Sequence, residues 1–199
     1  WHIVANGLPT DFACPDANES AADLIARAQA GGAYVSLAHP GWYSMTTSEA
    51  LLVSAADAVE IYNYSCVLSS ARESGIMIAD FLLNEGHKIS FTATDDSHFH
   101  LPDFAGGWVM VAAPELSQGA IIAALKAGHH YSSTGADFKD ISINKGILTV
   151  QTTPVQSIVL SGEGHLASAR HGNNITVARF DLSDFASQWF RITARGFSD

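Results

Sequence analysis

Along the first two-thirds of the chain, helical and strand-like hydrophobic patterns alternate. In SAADLIARAQA, apolar residues recur at Ala21, Leu24, Ile25 and Ala28, a helical spacing that Gly31-Gly32 terminates. The run AYVSLA (33 to 38) is continuously apolar or small, predicts a buried strand, and stops at His39-Pro40. Thr46 and Glu49 have capping-box spacing and predict a helix over 47 to 55. AVEIYN (58 to 63) predicts the next strand, and Ile76, Ala79, Leu82 and Leu83 predict one longer helix near 69 to 84, closed by Gly86. KISFTAT (88 to 94) follows as a strand, then an irregular Gly/Pro segment, the strand WVMVAA (108 to 113), a helix over 117 to 127 and a short strand YSST (131 to 134). WHIVANGL, at the start, is itself strand-like. Strands alternating with helices mark parallel βαβ units, in an open sheet or a barrel.

The period changes near Gly135. From there the polar and apolar residues alternate with period two, with turn-forming pairs at Lys145-Gly146, Gly172-Asn173 and Asn173-Asn174. The fold class is therefore α/β followed by a small all-β part, with an α/β domain over 1–136 and a β-rich domain over 137–199. In the tail, Trp189 and Phe190 are neighbours on a strand, so they face opposite sides and one of them belongs to a core.

Composition adds exclusions. Ten basic residues against twenty acidic ones give a formal charge of -10 over 199 residues. Such a surface repels phosphate backbones and anionic lipid, and the basic residues are scattered singly, so neither nucleic acid nor a membrane surface is an expected partner. No apolar run reaches the roughly eighteen residues of a spanning helix, and the chain reads as soluble. The absence of a signal-peptide pattern favours the cytoplasm, but the chain opens on Trp1 and looks cut from something longer, so the compartment and the oligomeric state stay open. Cys14 and Cys66 lie far apart without metal-ligand spacing and read as small buried hydrophobes.

Candidate chemistry collects where strands end. His39 directly follows one strand, Asn63 closes the next, and ATDDSHFH (93 to 100) places Asp95, Asp96, His98 and His100 behind a third. Imidazoles and carboxylates without thiolate suit Zn²⁺, Mn²⁺ or Fe²⁺ better than Ca²⁺ or Mg²⁺. The plainer alternatives are a packed His39, and Asp95-Asp96 as an Asx-turn or helix cap. Glu60 reads as a structural partner within its strand, and His87, His129, His130, His165 and His171 as surface residues. There is no GxSxG elbow, no base for Cys66, and no GxGxxG or P-loop pattern.

Taken together, WHIVANGL, SLAHPGW, VEIYN, ATDDSH and GGWVMVAAPELSQGAIIAALKAGHHYSSTGA resemble the later part of a PHP domain, of the polymerase-and-histidinol-phosphatase superfamily. The closer resemblance is to bacterial PHP-type metallohydrolases with an appended β-sandwich, the carbaryl-hydrolase-like branch. It implies the later part of a distorted (β/α)7 barrel followed by a small β-sandwich, with two or three divalent metal ions at the strand ends. Residue by residue, it implies His2, His39, Asp96 and His98 as metal ligands. The family's opening H-x-H, its next aspartate and histidine, and a glutamate before the His2 segment have no counterpart, and the resemblance puts them upstream of Trp1.

The function expected is a metal-dependent hydrolase, a phosphoesterase acting on a small molecule through metal-activated hydroxide. Asp95 is expected to orient an imidazole or accept a proton, and His100 to protonate a leaving group. The alternatives are hydrolysis of carboxyl or carbamate esters, a non-catalytic binding module on a degenerate PHP scaffold, and a truncated chain that has lost its activity.

Overall fold

The computed structural model describes residues 1–196, which form two compact units, one running to Thr134 and one from Gly135 onward. In the first unit β1 (Ile3–Asn6), β2 (Tyr34–Leu37), β3 (Ala58–Asn63) and β4 (Ser90–Thr94) form an open sheet in sequence order. β2, β3 and β4 are parallel, whereas β1 is antiparallel to β2, with Ile3 opposite Leu37. No barrel is closed among the described residues; the sheet ends at β1 and β4.

Every residue of β2 is buried, and its alternation explains why. Val35 and Leu37, with Val59 of β3, face a core of Ile25 and Ala28 from α1 (Ala21–Ala30), Ala50 from α2 (Thr47–Leu52), and Ile78, Ala79 and Leu82 from α4 (Ile76–Asn84). Tyr34 and Ala58, one residue out of phase, face Leu125, Ile121 and Ile122 of α5 (Gln118–Lys126), and Val109 and Val111 of β5 (Trp108–Val111). A central parallel strand covered on both faces has no polar side to show, hence the unbroken apolar run.

Ser20 caps α1, and the Thr46–Glu49 capping box at α2 is fully formed. The helix expected near 69 to 84 begins only after Gly75, as α4; before it stands an unexpected α3 (Tyr64–Ser70), which begins on Asn63 and ends at left-handed Ala71 (φ 52°). A Cβ on Gly75 would strike the Glu60 carbonyl oxygen, so the break lets the chain pass close over β3. The parallel alternation also stops early, because β5 pairs antiparallel with β6 (His130–Ser133) in a separate two-stranded ribbon. His130, expected at the surface, tucks its ring under the sheet, 3.1 Å from the Tyr34 hydroxyl, and its pKa is lowered, chiefly by burial. Cys14 is exposed rather than buried, unlike Cys66.

The second unit is one antiparallel sheet rather than two facing ones. β8 (Ile147–Gly162) is central, with β7 (Phe138–Asn144) and then β10 (Phe190–Arg195) along one flank and β9 (Ala167–Asp181) along the other. Lys145 and Gly146, both at positive φ, make the expected tight β7–β8 turn. Gly172-Asn173-Asn174 is not a turn; it lies within β9 opposite Gln156, where the register with β8 shifts, next to a second shift of that register at Pro154. Proline cannot donate to a ladder, so the two strands deform there together. Leu148 and Val150 on one side of the break share a core with Ile158 and Leu160 on the other, so the long hairpin bends over itself. Phe190 is exposed and Trp189 only partly buried, so neither supplies the expected core residue.

Candidate metal centre

His2 and His39 meet because β1 is antiparallel to its neighbour. His2 precedes β1, so the antiparallel register sets it beside the end of β2: the Ala38 amide donates to the His2 carbonyl at 3.1 Å. The two imidazoles then face each other, His2 Nδ1 2.8 Å from His39 Nε2. In this contact one ring presents a lone pair and the other a proton. His39 is buried, its Nδ1 has no hydrogen-bond partner, and Asp96 Oδ2 lies 3.9 Å from its Nε2.

Beneath this trio lies a buried polar layer that ties three strand ends together. Glu60, only 3% exposed, accepts hydrogen bonds from the His39 amide, from Asn63 Nδ2 at 3.1 Å and from the Thr94 hydroxyl. The register of β3 against β4 slips between Glu60 and Tyr62, a local irregularity of the kind that re-aims side chains near sites. Asn63 is fully buried and uses both ends of its amide. Its Oδ1 caps α3 by accepting from the Cys66 amide at 2.9 Å, and its Nδ2 also donates to Asp96 Oδ2 at 3.2 Å. That amide therefore fixes the carboxyl that faces His39. His39 (φ 29°) and Asp96 (φ 49°) both hold positive φ without being glycine, conformations that persist only where surroundings enforce them.

The loop after β4 is built on two other aspartates. Asp95, expected to assist an imidazole, instead accepts backbone N–H bonds from Ala105, Gly106 and Gly107 at 2.7, 2.8 and 2.9 Å. Burial raises its pKa, but those three donors outweigh it and the net shift is downward. Asp103, 2% exposed, accepts from the His98 and Phe99 amides and the Ser97 hydroxyl; the His98 amide is the main reason its pKa is lowered. Glycine is required at 106, where a Cβ would run into the Tyr64 ring.

His98 is exposed, and its Nδ1 donates to the Asp96 carbonyl at 2.7 Å, so the lone pair sits on Nε2. His100 is exposed on the same loop. The structure thus gathers His2, His39 and Asp96, while His98 joins them through the Asp96 backbone rather than its side chain. In kind the donors suit a divalent metal: two imidazole nitrogens, one carboxyl oxygen, and a third imidazole whose tautomer is fixed by a carbonyl as metal-binding histidines usually are. Among the described residues, no three His, Cys, Asp or Glu side chains yet stand in metal-holding geometry. Cys66 adds no nucleophile, since burial, with Asp96 and Glu60 nearby, pushes its thiol up to about 11.

The buried polar layer beneath these residues is only partly legible in the sequence. Glu60 carried a signal, a lone acidic residue inside a buried parallel strand, which is costly unless its hydrogen bonds are met. Asp103 carried none.

No protein-family model matches the chain, and no curated protein matches it. Among solved structures the chain is similar to a two-domain protein containing a predicted PHP-like metal-dependent phosphoesterase from Bacteroides vulgatus ATCC 8482, with a TM-score of 0.40 and 17% identity. The match covers 79% of this chain and 55% of that one, so the chain spans about half the length of that protein.

Proposed function

We propose that this chain contributes metal ligands to a metal-dependent hydrolase acting on small-molecule phosphoesters, with His2, His39, Asp96 and His98 as the ligands. The observation that carries this reading is the convergence of His2 Nδ1, His39 Nε2 and Asp96 Oδ2 at one edge of the sheet. A divalent ion there, Zn²⁺, Mn²⁺ or Fe²⁺ by donor type, supplies Lewis acidity toward water and toward the phosphoryl oxygens.

The chain's own residues do the positioning. Asn63 holds Asp96 by its Oδ2, Glu60 holds the His39 backbone, and the Asp96 carbonyl holds the His98 ring so that Nε2 is the coordinating end. Asp95 acts by anchoring the loop rather than by taking a proton, and exposed His100 is the group on that loop able to protonate a leaving alkoxide.

The test is metal content together with turnover. Mn²⁺ or Zn²⁺ titrated calorimetrically into metal-stripped protein binds, and p-nitrophenyl phosphate is hydrolysed in its presence. His39→Ala and Asp96→Ala each weaken binding at least tenfold and abolish turnover. Unaltered metal affinity in both variants would refute the ligand assignment.

A further inference from the structure

Three residues beyond His39 the chain exposes a large aromatic ring that the roles above leave unused. Trp42 is 50% exposed, although its indole stands roughly perpendicular to the His39 ring in a T-shaped contact, with centroids 5.3 Å apart at 83°. Residues 33 to 40 are all buried, so the chain emerges from the core at this point. The backbone that carries this tryptophan is tied down on several sides. Its amide donates to the His39 carbonyl at 3.0 Å, the Met45 amide donates to the Pro40 carbonyl at 2.9 Å, and Arg72 Nη1 donates to the Trp42 carbonyl at 3.3 Å. Gly41 lies so close to the segment 72 to 74 that a Cβ would collide with the Ser74 carbonyl oxygen. The backbone is thus fixed before, at and after the ring.

The loop that carries Asp96 repeats the pattern. Phe99, three residues later, is 80% exposed and Phe104 is 72% exposed, on a loop that Asp95 and Asp103 hold by six hydrogen bonds. Exposed aromatic residues thus stand just beyond both of the candidate ligand-bearing loops. Aromatic rings recognise flat partners through area and quadrupole, and a rigid ring does so at low entropic cost.

We infer that Trp42 is the recognition platform of this site, receiving a planar aromatic leaving group of the substrate against its exposed indole. This rests on the hydrolase reading for the reaction, but the ring-stacking role is separable from it. The indole adjoins the His39 imidazole, so a ring stacked there sits beside the group it leaves.

The test compares phenyl phosphate with methyl phosphate in wild-type, Trp42→Ala and Trp42→Phe protein. The ratio of kcat/KM for the two substrates falls about tenfold in Trp42→Ala and is largely kept in Trp42→Phe, whose ring still stacks. An unchanged ratio in Trp42→Ala, with a native circular dichroism spectrum, overturns the proposal. In parallel, phenylphosphonate and methylphosphonate are titrated into the same three proteins by ligand-observed NMR, which requires no turnover. Phenyl-selective binding lost in Trp42→Ala supports the platform even if neither ester is hydrolysed. Binding that ignores Trp42 overturns it even if both are.

Discussion

Asn63 shows how much one side chain can organise: it caps a helix with its oxygen and serves two acidic side chains with its nitrogen. Asn63→Asp keeps the capping oxygen but turns the donor into a third acceptor facing Glu60 and Asp96. It should cost about 2–4 kcal/mol in urea denaturation, and more than Asn63→Ala, which loses the cap without adding repulsion. Cys66 and Cys14 provide a second check. With its thiol pushed up to about 11 by burial, Cys66 is protonated at pH 8, whereas Cys14 is exposed. Iodoacetamide at pH 8 should label native protein once, at Cys14, and denatured protein twice, as read by mass spectrometry. At this scale the sequence was legible where residue type and position coincide, as for His39 and Asp96 at strand ends. It was silent for Asp103, whose role depends on where a loop returns.

Among the elements, the α2 cap and the three parallel strands could be read in advance because they rest on local chemistry: the Thr46–Glu49 box, and apolar runs between turn residues. The α3–α4 break could not, since alanine at 71 carries no helix-stop signal and the apolar spacing continues beyond it. Ala71→Gly should therefore stabilise the protein by about 0.5–1 kcal/mol, because glycine adopts the left-handed conformation without a Cβ penalty; thermal denaturation measures it. The loop after β4 behaves as a unit with its own acid limit. Asp95 and Asp103 have folded pKa values below the ordinary one. Each such group stabilises the fold fully above the unfolded carboxyl pKa of about 4, and that contribution is lost as pH falls through the lower folded value. Amide exchange at Phe99, Gly106 and Gly107 should stay slow from pH 8 down to about 4, and quicken below it beyond the intrinsic rate; Asp95→Asn should quicken Gly106 and Gly107 at neutral pH.

For the whole molecule, the change of period near Gly135 was visible in sequence, and the division of the chain into two compact units falls at the same position. What local pattern could not supply was strand direction and sheet closure. β1 runs opposite to β2, β5 and β6 leave the main sheet, and the tail is one bent sheet, all decided by contacts distant in sequence. Gly172–Asn174 looked like turn residues and serve, with Pro154 on the facing strand, as deformations inside long strands, because a hairpin that folds over its own core needs a break in both ladders.

The antiparallel β1 ladder also defines where the chain tolerates length changes. His2 is addressed by register: Ile3 opposite Leu37 fixes which residue comes level with His39. An extra residue between His2 and Ile3 would turn the imidazole to the other face of the sheet and remove it from the pair. An insertion at the exposed turn of Ala17 and Asn18, between β1 and α1, leaves that ladder untouched. A spectroscopic or affinity tag belongs there, and the His2–His39 pairing should survive it.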